Sequence, residues 1–109
     1  MESDGVPEID VTELARLRAD GATLIDVREP DEYEAAHVPG AQPIPLGTVP
    51  DRIAEVPADG SVYVICAMGG RSLKAAEFYR ANGIDAINVG GGTKAWIEAG
   101  QPVSTGSEP

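Results

Sequence analysis

The sequence has one cysteine, Cys66, one histidine, His37, one phenylalanine and one tryptophan. A lone cysteine cannot close an internal disulfide, which suits a reducing compartment. One thiol and one imidazole also give little material for a metal site. Bases are scarce: eight Lys and Arg stand against eighteen Asp and Glu, for a net charge of −10. That balance argues against nucleic acid or an anionic membrane as a partner. No apolar run approaches the roughly 20 residues that cross a bilayer. The acidic start, MESDGVPEID, lacks the basic and apolar regions of a secretory leader. The expected location is therefore the cytoplasm.

What is present fits one soluble domain. At 109 residues and 42% hydrophobic content, the chain has the size and composition of a single compact unit. Its core is expected over about residues 8–103, with Ser104 to Pro109 a loose tail. No long exposed apolar stripe is evident, so a monomer is the default expectation. The charge is uneven: residues 1–60 carry fourteen acids and four bases, whereas residues 61–109 carry four of each. Cys66 lies in the neutral half, where an approaching anion meets less repulsion than the total charge implies.

Short apolar runs alternate with helical periods. Asp10, with Glu13 three residues on, has the form of a helix start, and Val11, Leu14 and Ala15 share a face that ends near Gly21. Thr23–Val27 reads as a strand, and Pro30 as the first position of a short helix through Ala36. Ala41–Ile44 can pair only briefly, because Pro43 lacks a donor. Val49–Val56 reads as a short helical piece. Ser61–Ile65 is the strongest strand, β-branched or aromatic from Val62 onward. Ser72, Ala75, Ala76 and Tyr79 make one helical face that stops at Asn82-Gly83. Ala86–Val89 is another strand, and Gly90-Gly91-Gly92 leads into a last helix, Thr93–Ala99. Strands alternating with helices predict an α/β domain with a parallel sheet. Ligands of such sheets gather beyond the carboxyl ends of the strands, and Cys66 is the first residue past such an end.

The segment Cys66-Ala67-Met68-Gly69-Gly70-Arg71-Ser72 then reads as chemistry. A free thiol is mostly protonated at neutral pH, and positive potential raises its thiolate fraction. If the loop wraps Cys66 and feeds a helix at Ser72, first-turn N–H groups point at the sulfur. Gly69 and Gly70 allow positive φ, so that successive N–H groups converge on an anion. Arg71 adds a permanent charge that can close on the sulfur or on an incoming anion. The bland reading is a buried cysteine packed at a strand end, followed by an ordinary strand–helix turn. On loop chemistry alone both readings stay open.

Three blocks carry a family resemblance. Leu24-Ile25-Asp26-Val27-Arg28-Glu29-Pro30, with Tyr33 and His37-Val38-Pro39-Gly40-Ala41, resembles the N-terminal signature of rhodanese-like domains. Cys66 to Ser72 resembles their active-site loop. Gly91-Gly92-Thr93-Lys94-Ala95-Trp96, with Ala99-Gly100-Gln101-Pro102-Val103, is similar to their C-terminal signature. The blocks follow the family order over roughly residues 8–103. The resemblance implies a rhodanese-like fold, a five-stranded, mainly parallel sheet with helices on both faces. It also implies a single-domain sulfurtransferase working through a persulfide on Cys66, with no metal or organic cofactor. The persulfide would be held by the backbone N–H groups of Ala67 through Arg71, with Arg71 orienting an anionic donor. Asp26 and Arg28 match positions tied into supporting ion pairs, and the block around His37 is a structural turn. Trp96 reads as packing.

The implied partners are a small-molecule sulfur donor, such as thiosulfate, and a thiophilic acceptor: cyanide, a thiol or a protein. Met68 departs from the pattern, standing where many relatives carry a hydroxyl able to donate to the persulfide. Arg71 is also alone, where relatives tuned to thiosulfate carry further basic residues. Two other readings compete: a non-catalytic binding or regulatory module, and a phosphatase or arsenate-reductase type of enzyme. The latter uses one more residue between cysteine and arginine than the four present here.

Overall fold

A computed structural model describes residues 5–109; the first four residues of the acidic start lie outside them. Five strands form one sheet: β1 (Glu8–Ile9), β2 (Thr23–Asp26), β3 (Gln42–Pro43), β4 (Ser61–Ile65) and β5 (Asp85–Val89). Their spatial order is β1-β5-β4-β2-β3, and every pairing is parallel. The helices are α1 (Val11–Ala19), α2 (Pro30–Ala35), α3 (Gly70–Ala81) and α4 (Gly92–Glu98), with 3-10 turns at Leu46–Thr48 and Pro50–Glu55.

Alternation along the strands divides the core in two. Ile25, Val62, Val64 and Ala86 face one side, where Ala75, Ala76 and Tyr79 of α3 cover them. Leu24, Ile65 and Val89 face the other, against Val11 and Leu14 of α1, Tyr33 of α2 and Trp96 of α4. Neither face of β4 could remain in water, which is why its sequence is apolar almost throughout. The face predicted for α3, including Ser72, is buried throughout.

Local chemistry sets the element ends. The Asp10 side chain accepts the Glu13 N–H at 2.9 Å and starts α1. Pro30 opens α2, where Glu29 and Glu32 bond reciprocally to each other's backbone. Pro43 lies on an edge strand, and Ile44 N–H reaches the Asp26 carbonyl at 2.9 Å beside it. Among the described residues, no helix is long and apolar enough to cross a membrane.

Two elements differ from expectation. β1 is absent from the sequence reading, yet it closes the sheet edge beyond β5. The expected loose tail is held over its first residues. His37 and Ser104 exchange backbone bonds at 2.9 and 2.8 Å, and Gly106 N–H donates to the Glu34 carbonyl at 2.8 Å. Its place at the chain terminus pointed to a free end, but a turn elsewhere in the chain supplies it with backbone partners.

The chain runs outward from β2 to β3 in one direction and from β4 to β5 in the other. With right-handed crossovers, α2 and α3 fall on opposite faces, as the two halves of the core require. Asp26 closes β2 and Cys66 follows β4 at the same, carboxyl end of the sheet.

Candidate active site

Cys66 follows β4 directly, and the chain turns through Ala67 and Met68 to Gly69, whose φ of 118° lies in the left-handed region. An L side chain there would be strained. The turn brings the Gly69 N–H to 3.1 Å from the Cys66 Sγ. Ser72, in the first turn of α3, places its Oγ 3.3 Å from the same sulfur. Cys66 is 1% exposed.

Ser72 is itself held. Its Oγ lies 2.6 Å from Asn88 Oδ1, while the Asn88 Nδ2 donates to Glu8 Oε1 at 3.0 Å and to the Gly69 carbonyl at 3.3 Å. These two acceptors fix the amide orientation. A hydroxyl has one proton, so Ser72 cannot donate to Asn88 and Cys66 together. With a neutral thiol, S–H donates to Ser72 and the hydroxyl proton goes to Asn88. With a thiolate, that proton must turn to the sulfur.

Burial pushes the Cys66 thiol up, but the Ser72 hydroxyl and the backbone N–H groups of Ser72, Gly69 and Met68 outweigh it. The net result is a thiol held below its ordinary value, in favour of the thiolate. The N-terminal turn of α3 is thus directed at the sulfur.

A second helix start holds the loop from outside. Thr93 N–H donates to the Cys66 carbonyl at 2.9 Å, and Lys94 N–H to the Ala67 carbonyl at 3.0 Å. The approach is close: a Cβ on Gly92 would lie 2.4 Å from the Cys66 carbonyl oxygen and 2.5 Å from that of Ala67. The Met68 side chain is left 69% exposed.

Arg71 lies differently from the expected open cation. Its Nη1 and Nη2 bond the two carboxylate oxygens of Glu32 at 2.8 and 2.9 Å. Glu32 is pushed down to about 2, first by that bond to Arg71 and also by its bond to the Glu29 backbone, against burial. It is charged at any neutral pH.

Asp26 and Arg28 form a buried pair, with Nε to Oδ1 at 3.0 Å and Nη2 to Oδ2 at 2.9 Å. Arg28 Nη2 also donates to the Ala36 carbonyl at 2.8 Å, anchoring the end of α2 to the end of β2. Their polar partners are each other and the backbone, which makes them a brace.

His37 is buried with its ring stacked on Tyr33, centroids 3.7 Å apart. Its Nδ1 lies 2.7 Å from the Tyr33 carbonyl. A carbonyl only accepts, so Nδ1 carries the proton. Trp96 is buried and donates to the Pro102 carbonyl at 2.7 Å. Neither makes a hydrogen bond to Cys66. Among the described residues, no three His, Cys, Asp or Glu side chains cluster to hold a metal.

Sequence reasoning missed Glu8, Glu32 and Asn88, which lie 58, 34 and 22 residues from Cys66 along the chain. Their one visible signal is the closeness of Glu32 and Asn88 to blocks already singled out.

The model of the rhodanese-like domain matches residues 10–99. The uncharacterised protein YqhL of Bacillus subtilis is 46% identical over 76 residues, covering 69% of this chain and 60% of its own length. A sulfurtransferase of Allochromatium vinosum is 34% identical over 101 residues, covering 90% of this chain and 94% of its own. The crystal structure of a rhodanese-like domain protein from Staphylococcus aureus superposes with a TM-score of 0.85 at 34% identity, covering 94% of this chain and all of that one.

Proposed function

Because this chain belongs to the rhodanese-like domain family, we propose that it transfers sulfane sulfur through a persulfide on Cys66. The observation that carries the proposal is the convergence on one sulfur of the Gly69 N–H and the Ser72 hydroxyl, at the start of α3. A thiolate held in this way needs no general base.

The reaction has two halves. The Cys66 thiolate attacks the outer sulfur of a donor, whose S–S bond breaks as the leaving group departs with the electron pair. With thiosulfate, the leaving group is sulfite. The outer sulfur of the persulfide then sits where the N–H groups of Ala67 to Arg71 and the α3 dipole favour negative charge. In the second half, cyanide in an assay, or a thiol or protein thiol in the cell, attacks that sulfur and Cys66 leaves as thiolate.

The test is an intact mass under non-reducing conditions after incubation with a panel of sulfane-sulfur donors. A gain of one sulfur, removed by cyanide and absent from Cys66→Ser, is expected. Failure of every donor to add sulfur would defeat the reading, and ready hydrolysis of an aryl phosphate would replace it.

A further inference from the structure

Arg71 is the one base between Cys66 and Ser72, and both of its terminal nitrogens are engaged by Glu32. Counting the Cys66 thiolate, Arg71 and Glu32 together, the mouth of the loop carries a net single negative charge before any donor arrives. Asp26 and Arg28 cancel each other. The exposed side chains next to Glu32 add to the repulsion: Glu29, Asp31 and Glu34 are acids, and neither α2 nor its cap contains a base. A dianion reaching for Arg71 must either displace Glu32 from the terminal nitrogens or share the guanidinium with it, and in both cases it lies beside that carboxylate. The Met68 thioether, by contrast, offers a soft apolar surface at the exposed crest of the loop.

Building on the persulfide reading above, we infer that this loop takes sulfur from singly charged donors bearing an organic group, organic hydropersulfides or thiosulfonates, in preference to thiosulfate. Glu32 is the positioning residue that sets this preference by occupying Arg71. The step balances for each donor. With a thiosulfonate, RSO2–S⁻, the thiolate takes the outer sulfur and the sulfinate RSO2⁻ leaves with the electron pair. With a hydropersulfide, the thiolate RS⁻ leaves.

Glu32→Gln tests this, because glutamine still accepts the Glu29 N–H and keeps the start of α2. Thiosulfate and benzenethiosulfonate serve as the dianionic and monoanionic probes, with cyanide as acceptor. Freeing Arg71 from a partly exposed pair should lower KM for thiosulfate by about three- to five-fold, with kcat unchanged. KM for benzenethiosulfonate should move by less than about two-fold, since half the charge is at stake. Adding Arg71→Met should return the thiosulfate KM toward the wild-type value, a coupling that a merely structural role would not produce. If Glu32→Gln moves both donors alike, or neither, the preference is overturned while the persulfide on Cys66 stands. If neither donor loads Cys66 in the wild-type protein, the underlying reading falls with it.

Discussion

Two strand-to-helix turns in this molecule look alike and do different work. β4 and β5 have the same burial pattern along five residues, and each leads to a helix capped by a glycine with positive φ, Gly69 at 118° and Gly91 at 82°. After β5, Gly90 alone precedes the cap. After β4, Cys66, Ala67 and Met68 precede it. The two extra residues make the difference, giving the chain room to curl a side chain back under its own helix start. The donors of α3 consequently converge on sulfur, while those of α4 are taken up by the carbonyls of Cys66 and Ala67. One helix start holds the Cys66 sulfur, and the other holds the loop that presents it.

The sharpest way to break this division is Gly92→Ala. The new methyl would meet two carbonyl oxygens at 2.4 and 2.5 Å with φ at +60°. A loss of roughly 2–4 kcal/mol is expected from the clash and the strained backbone together, read from denaturant unfolding, together with slower alkylation of Cys66. Unchanged stability would mean that α4 does not hold the loop.

Gly69→Ala should cost less. Its nearest neighbours would be 3.7 Å or more away, so only the conformation is at issue, worth about 1–3 kcal/mol. The thiol should lose reactivity as its N–H donor turns away, visible as slower iodoacetamide labelling in a folded protein.

The next two substitutions differ in sign. Ser72→Ala removes a donor from the thiolate, so the pH midpoint for Cys66 alkylation should rise. A thiol held low stabilises the fold above its unfolded value, an increment lost as pH falls through the folded value. Stability at alkaline pH should therefore drop in this variant relative to stability at neutral pH. Asn88→Ala removes the competing acceptor of the Ser72 proton, and the midpoint should fall by a smaller amount. If the two variants shift in the same direction, the hydroxyl is not shared between Asn88 and Cys66.

Much of this was legible from local pattern. The buried face of α3, the β4 strand, and the placement of Cys66 beyond it follow from periodicity and from glycines where the chain must turn. The parallel sheet follows from strands separated by helices. The partners that modify the site were not legible, because they are set by tertiary contact. Arg71 reads in isolation as a free cation, and only folding brings Glu32 to it from 39 residues away. Asn88 reads as a polar interruption in a strand, and its bonds to Ser72 and Glu8 depend on three elements meeting. β1, at two residues, is too short for any alternation to register, and the pairing of Ser104 with His37 leaves no trace in composition.

The bonds from Thr93 and Lys94 to the loop carbonyls bear on how the protein is made. Synthesis proceeds from the N-terminus, so when Cys66 leaves the ribosome Thr93 and Lys94, which frame its loop, still lie 27 and 28 residues behind it, inside the exit tunnel. Gly69 and Ser72 follow it closely, but α4 arrives last, and Glu8 can reach Asn88 only after β5 exists. Until then the nascent chain carries its thiol without the outer frame, and the full arrangement around Cys66 belongs to the completed fold.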